Sequence, residues 1–130
     1  MKAMIIVIFQ VLLLSGPTLA LAQLPTVDLI LNIGDAAEAG QLTGSFTITR
    51  TGETSQALDV IVVVSGSADQ FNDYNASNLI HYSPPNYRLQ IPGGQSSISS
   101  TITPILDNLV EGPESAIFTL QPTVNYTLGT

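Results

Sequence analysis

The stretch Ala57-Leu58-Asp59-Val60-Ile61-Val62-Val63-Val64-Ser65 decides the fold class of this chain. Its alternate positions hold aliphatic residues, namely Leu58, Val60, Val62 and Val64. Successive side chains of a β-strand point to opposite faces of a sheet, so this alternation predicts a strand. The high content of β-branched residues favours a central strand.

The same period of two recurs on both sides of this stretch. It predicts further strands over residues 26–33, 45–50, 79–82, 87–91, 96–106 and 116–120. Segments rich in Gly, Pro, Asn and Ser separate these strands, as expected for turns. The polar segment 66–78 is predicted to be a loop that carries function. About seven short strands without helical periodicity predict an all-β sandwich.

The first 22 residues have the pattern of a secretory signal peptide. Lys2 precedes an apolar run from Met4 to Leu14, and Ala20-Leu21-Ala22 is a small-residue cleavage pattern. The run is shorter than the roughly 20 apolar residues that span a bilayer, so we expect no membrane span after signal cleavage. Residues 1–22 are therefore predicted to be the signal, and residues 23–130 one secreted or cell-surface domain, periplasmic or extracellular if the source is bacterial.

Charge and cysteine content restrict the possible functions. Without Lys2, two arginines remain against ten acidic residues. Phosphate backbones are bound through Lys and Arg, so this balance argues strongly against a nucleic-acid partner. An acidic surface instead suits cations, basic partners or solubility. The chain has no cysteine, so an exported domain of this sequence is held by its core, with a bound ion as one further source of stability.

Residues for catalysis are few, and we expect a protein that is not an enzyme. The chain has no cysteine nucleophile and no Gly-x-Ser-x-Gly motif, and its single histidine, His81, has no evident orienting partner. We expect His81 to be a partly exposed strand residue. Arg50 is expected at a strand end, where it balances an acid such as Glu53.

The stretch Asp107-Asn108-Leu109-Val110-Glu111-Gly112-Pro113-Glu114 places three carboxylates between two predicted strands. A metal ion, a partner or simple solvation of a loop would each explain them. Calcium takes six to eight oxygen ligands from carboxylates, carbonyls and water. Glu114 begins the next strand and is the weakest candidate ligand of the three. At this point calcium binding and solvation both remain open.

Four motifs follow one another in an order and spacing that resemble those of the Calx-beta domain family, over nearly all of residues 23–130. They are Glu38 before Phe46-x-Ile48-x-Arg50-Thr51-Gly52; Val64-Ser65-Gly66-Ser67-Ala68 before Asn72-Asp73-Tyr74; Ile91-Pro92-Gly93-Gly94-Gln95; and Asp107-x-x-x-Glu111-Gly112-x-Glu114 before Phe118-x-Leu120. The resemblance implies an immunoglobulin-like antiparallel β-sandwich. It also implies a role in adhesion or cell communication.

The resemblance further implies a calcium site at one end of the sandwich. By motif position its ligands would be Glu38, Asp73, Asp107 and Glu111. Family members that bind several ions carry consecutive aspartates before the acidic turn, whereas Leu106 and Asn108 flank a single Asp107 here. The implied site is therefore reduced to one ion.

The last strand of the family's fold is not recognisable in the sequence up to Thr130. A sandwich without that strand has an unpaired edge, which natural sheets usually avoid. We expect either that the chain continues or that a protein partner or a neighbouring domain completes the edge. Our hypothesis is an exported, non-enzymatic Calx-beta-like module that binds calcium. The alternative is a calcium-free structural or adhesion spacer of a larger surface protein.

Overall fold

A computed structural model describes residues 23–107 and 112–130 of the chain. These residues form nine β-strands, which are β1 (Thr26–Ile33), β2 (Gly44–Thr51), β3 (Leu58–Gly66), β4 (Tyr74–Ala76), β5 (Ile80–Ser83), β6 (Asn86–Ile91), β7 (Ser97–Pro104), β8 (Ala116–Leu120) and β9 (Thr127–Leu128). The predicted signal peptide, residues 1–22, lies outside the described residues. In the part that is described, no helix is long and apolar enough to cross a membrane.

The strands form two sheets, in the orders β4-β7-β2-β1-β9 and β5-β6-β3-β8. Their inner faces enclose one hydrophobic core, built from Val27, Phe46, Ile48, Leu58, Val60, Val62, Leu79, Tyr87, Leu89, Ile91 and Tyr126. The predicted all-β sandwich is confirmed. Neighbouring strands are antiparallel except β1 and β9, which are parallel.

The stretch that predicted the fold class lies at the centre of its sheet. β3 pairs with β6 on one side and with β8 on the other. Leu58, Val60 and Val62 are buried, because the period of two directs these side chains into the space between the sheets. The prediction of a central strand is confirmed.

Two short strands raise the number of strands from about seven to nine. β4 lies inside the segment 66–78 that was predicted to be a loop, and it pairs with the end of β7, with Tyr74 opposite Pro104. The polar residues around β4 give no strand pattern in the sequence, and the buried ring of Tyr74 anchors the strand in the structure. β9 contains two residues, and it pairs with the start of β1.

Tyr126 fixes the connection between β8 and β9. Its side chain is fully buried, and its hydroxyl accepts a hydrogen bond from the backbone N–H of Ile61 at 3.0 Å. The same hydroxyl donates to the carbonyl of Gln121 at 2.5 Å. A tyrosine that bonds back to a carbonyl a few residues upstream is a feature of immunoglobulin-like sandwiches.

The strand registers define two opposite ends of the sandwich. Val27 near the start of β1 pairs with Arg50 near the end of β2, while Ile33 at the end of β1 pairs with Ser45. We call the end that contains Arg50 the Arg50 end. We call the opposite end, which carries Asp35, Glu38, Asp73, Asp107 and Glu114, the acid-bearing end.

Candidate functional site

Three of the four predicted calcium ligands belong to the acid-bearing end. Glu38 and Asp73, which are distant in sequence, border the same open groove. The N–H of Ile105 donates to the Asp73 carbonyl at 2.8 Å, and Asp107 follows two residues later. Glu111, the fourth predicted ligand, lies outside the described residues.

A tight hairpin between β1 and β2 positions Glu38. Ala37 and Leu42 exchange two backbone hydrogen bonds of 2.9 Å each, and the N–H of Gln41 donates to the Glu38 carbonyl at 2.9 Å. Gly40 occupies the left-handed region with φ of 79° at this turn, which glycine adopts without steric cost. The hairpin holds the half-buried Glu38 at the mouth of the groove.

Asp73 has a role within its own loop. Its carboxylate Oδ2 accepts a hydrogen bond from the Asp69 N–H at 2.5 Å, and its N–H donates to the Asp69 carbonyl at 2.8 Å. The Asn72 amide donates to the Asp69 carboxylate at 2.7 Å. One of the two carboxylate oxygens of Asp73 therefore stabilises the turn that leads into β4.

The arrangement of carboxylates fits a calcium site only in part. Among residues 23–107 and 112–130, no three Asp, Glu or His side chains lie close enough together to hold a metal ion. Calcium also takes carbonyl and water oxygens, and it accepts more irregular geometry than other common metals do. A site at this end therefore requires Glu111, backbone carbonyls or water in addition to the described carboxylates.

The groove that Glu38 and Asp73 border has a volume of about 1050 Å³. We call it the β1–β8 groove, because Leu29, Leu31 and Ile33 of β1 and Ile117 and Phe118 of β8 line it. The ring of Phe118 packs against that of Phe46, with 4.8 Å between the ring centroids. The groove thus combines an apolar lining with acidic residues at its rim.

Tyr74 is the buried polar residue of this end. Its side chain is only 4% exposed, and its ring meets that of Phe118 edge to face at 6.3 Å. The hydroxyl has no hydrogen-bond partner within the described part of the chain. Burial raises the pKa of Tyr74 to about 12, and the charges of Tyr87, Asp69 and Asp73 add to this effect. Packing of the ring, rather than a hydrogen bond of the hydroxyl, therefore holds the Tyr74 side chain in place.

Arg50 lies near the end of β2, as predicted, but it is buried and forms no salt bridge with Glu53. Its guanidinium donates four hydrogen bonds to backbone carbonyls, those of Gln95 (2.9 Å), Gln56 (2.7 Å), Thr54 (2.7 Å) and Pro92 (3.0 Å). Glu53 instead accepts from the Ser55 N–H at 2.7 Å, a bond that lowers the pKa of Glu53. The fork of donors on a guanidinium suits several carbonyls at once.

The two other basic side chains of the sandwich are exposed or half-exposed. His81 lies exposed on β5, with its ring 5.5 Å from that of Tyr87. Arg88 donates to the Asp59 carboxylate at 3.0 Å, and this is the one ion pair in the described ranges. Neither residue contributes to the acid-bearing end.

Comparison with known proteins does not identify a family for this chain. No protein-family model matches the chain, and no curated protein matches it. Its function is therefore inferred from its own residues.

Proposed function

We propose that this protein is an exported, non-enzymatic Calx-beta-like module that binds one calcium ion at the acid-bearing end and serves adhesion or cell-communication contacts. The proposal rests on one observation above all. Glu38 from the β1–β2 hairpin and Asp73 from the loop before β4 border the same groove. A sandwich fold brings these two predicted ligands to one end, as a shared ion requires.

Asp107 and Glu111 would complete the ligand set from the third loop. The Ile105–Asp73 backbone hydrogen bond ties the start of this loop to the loop that carries Asp73. A bound calcium ion would offset the negative charge of three converging loops and hold them together. Binding to the native state alone adds about 2.7 kcal/mol of stability at a free calcium concentration of 100 times Kd.

The second candidate function is the calcium-free spacer, and a specific observation favours it. Asp73 already uses one carboxylate oxygen to accept from the Asp69 N–H. In residues 23–107 and 112–130 the acids do not form a group of three that could hold a metal. Under this alternative the acids stabilise turns and keep the surface soluble.

Thermal unfolding with calcium and with a chelator separates the two functions. We expect millimolar calcium to raise the midpoint by several degrees, because about 1 kcal/mol corresponds to roughly 4–8 °C for a domain of this size. The double variant Asp107→Asn with Glu111→Gln should lose this shift. Magnesium at the same concentration controls for ionic strength.

A matched control makes the same charge change at the Arg50 end. Asp59→Asn with Glu53→Gln removes one Asp and one Glu carboxylate there, and it should leave the calcium shift intact. Identical midpoints in calcium and in chelator would exclude the calcium function and favour the spacer.

A further inference from the structure

Two tripeptides of the sandwich match the acceptor pattern of N-linked glycosylation, which is Asn, a residue other than Pro, and then Ser or Thr. The first is Asn75-Ala76-Ser77, which begins in β4, and the second is Asn125-Tyr126-Thr127, which leads into β9. Glycosylation at this pattern adds a bulky, solubilising group to the surface of an exported protein. Modification of either tripeptide requires the export that the proposed function includes, and it does not require the calcium site.

Asn75 presents its amide on the surface of the sheet. Tyr74 points inward and is buried, so the next residue of β4 points outward, and Asn75 is exposed. Among the described residues its side chain forms no hydrogen bond, whereas the amides of Asn72 and Asn78 are both donors. Asn75 does not line the β1–β8 groove. The Asn75 amide can therefore carry a bulky group that leaves the groove clear.

The first tripeptide lies at a short edge strand. β4 has three residues, it lies at the edge of its sheet, and turns precede and follow it. The hydroxyl of Ser77 accepts one hydrogen bond, from the Thr101 N–H at 2.8 Å. A transferase binds the Asn and the hydroxyl residue of its acceptor together, so in a folded domain the tripeptide has to leave the sheet. Short edge elements open locally at a lower free-energy cost than the strands of a core.

The second tripeptide is fixed by the core. The Tyr126 side chain is fully buried, and its hydroxyl forms two hydrogen bonds. The Thr127 N–H donates to the Pro25 carbonyl at 3.0 Å, where β9 pairs with β1. Asn125 is exposed, but its tripeptide cannot leave the fold without removing Tyr126 from the core. The fold therefore favours Asn75 over Asn125 as an acceptor.

A negative charge distinguishes the two tripeptides further. Asp73 stands two residues before Asn75, whereas Thr123 stands two residues before Asn125. Bacterial oligosaccharyltransferases commonly require an acidic residue at this position of the acceptor. The segment Asp73-Tyr74-Asn75-Ala76-Ser77 therefore satisfies the stricter bacterial pattern as well as the general one.

We propose that Asn75 is an acceptor site for an N-linked glycan, which is added after export and folding. The second substrate is an oligosaccharide that a diphosphate joins to a lipid. The Asn75 amide nitrogen forms a bond with C1 of the first sugar and loses one proton to solvent, while the bond between C1 and the diphosphate breaks and the lipid diphosphate leaves. The glycan extends from the outer face of β4, where it shields the edge of the sheet from pairing with another chain.

Export of the full chain in a bacterium tests the proposal. The host carries an oligosaccharyltransferase that requires the acidic residue, together with its lipid-linked oligosaccharide. A control acceptor segment with the same pattern follows Thr130 through an added arginine. Trypsin cleaves after arginine, and the chain has Arg50 and Arg88, so Asn75, Asn125 and the control segment fall in three different fragments. Mass spectrometry of each fragment reports its glycan.

We expect the fragment with Asn75 to gain the mass of one oligosaccharide and the fragment with Asn125 to stay unmodified. Asn75→Gln should remove this gain, and the matched change Asn125→Gln should leave it intact. Both variants keep an amide at an exposed position, so both should keep the thermal midpoint of the parent. An unmodified Asn75 beside a modified control segment would overturn the proposal.

The variant Thr123→Asp separates the effect of the fold from that of the acidic residue. It places an acid two residues before Asn125, and it keeps an oxygen that can accept from the Asn125 N–H, as the Thr123 hydroxyl does at 3.1 Å. We expect Asn125 to stay unmodified in this variant, because Tyr126 holds the tripeptide in the core. A glycan on Asn125 would overturn the part of the proposal that assigns the selection to the fold.

Failure of the glycan site and failure of the proposed function give different results. If the control segment also lacks a glycan, the chain is not exported, and the exported character of the proposed function fails together with the glycan site. If the control segment is modified and Asn75 is not, the glycan site alone is overturned. Absence of the calcium shift in thermal melts would exclude the calcium function and leave the glycan site in place.

Discussion

Arg50 and Asp73 lie at opposite ends of the same sandwich and are surrounded very differently. The Arg50 guanidinium is buried and donates to four carbonyls. The Asp73 carboxylate borders an open groove and accepts one backbone hydrogen bond. Burying a charge is unfavourable unless hydrogen bonds replace its hydration. One end of the molecule is therefore closed around a cation, and the other end leaves its anions within reach of solvent or a ligand.

The closed end joins two connections that are far apart in sequence. Thr54 and Gln56 belong to the β2–β3 turn, and Pro92 and Gln95 belong to the β6–β7 turn. Arg50 fixes both turns to β2. Stability is therefore concentrated at the Arg50 end, and binding is expected at the acid-bearing end.

Replacement of Arg50 should have the largest effect on stability. Arg50→Met removes four hydrogen bonds from a buried, charged donor, although the Thr54 and Pro92 carbonyls keep the backbone N–H groups of Gly94 and Gln95. We expect a loss of about 3–5 kcal/mol in the free energy of unfolding. Urea denaturation measures this loss. Arg88→Met is the control, because it removes a half-exposed ion pair with Asp59 that is worth less than about 1 kcal/mol. Equal losses for the two variants would contradict the special role of the closed end.

The surroundings of Arg50 could be predicted from the sequence only in part. Arg50 continues the parity of Phe46 and Ile48, so its inward direction was available from the alternation that predicted β2. Its partners were not available, because they are backbone carbonyls of turns whose shape depends on the whole fold. Exposed charge is the general expectation for arginine, and it led to the wrong prediction of a pair with Glu53.

The acid-bearing end was predictable to a similar degree. The resemblance to the Calx-beta family implied that Glu38 and Asp73 lie at one end, and both residues border the β1–β8 groove. The distances between carboxylates depend on loop conformations, and no local pattern encodes those. The Asp69–Asp73 hydrogen bond is one example, since it forms only when residues 69–73 make a turn. Regular strands are therefore more predictable from sequence than the site they carry.

Gly66 should be the most sensitive position of the acid-bearing end. It adopts φ of 118°, and a Cβ there would overlap the carbonyl oxygen of Ser115. Gly66→Ala should cost about 3 kcal/mol, since backbone strain and overpacking add. Gly40→Ala is the matched control at the same end, because Gly40 has φ of 79° and open space around it. It should cost about 1 kcal/mol.

Thermal melts of the two glycine variants measure how tightly the acid-bearing end is packed. A large loss at Gly66 alone would show that β3 and β8 pack tightly at the acid-bearing end, beneath the open groove. Similar losses at both glycines would mean that backbone conformation, and not close packing, sets the effect.

The two buried tyrosines should respond differently to loss of the hydroxyl. Tyr126→Phe removes both a donor and an acceptor from the β8–β9 connection, so we expect a loss of about 1–2 kcal/mol. Tyr74→Phe removes a hydroxyl that has no partner in the described ranges and should change stability by less than about 0.5 kcal/mol. Chemical denaturation of both variants tests this difference, and a larger loss for Tyr74→Phe would contradict it.

The smallest expected effect is a pH dependence carried by Tyr74. Its pKa is raised to about 12 by burial, whereas an unfolded tyrosine ionises near pH 10. Above pH 10 the unfolded state therefore binds fewer protons than the folded state, and stability falls as pH rises toward 12. At pH 10 the loss is about 0.4 kcal/mol. Tyr74→Phe should remove this part of the slope between pH 9 and 10, while Tyr82→Phe, at a side chain 65% exposed, should not. Equal slopes for the parent and Tyr74→Phe would mean that the acid-bearing end opens to water around this ring before the sandwich unfolds.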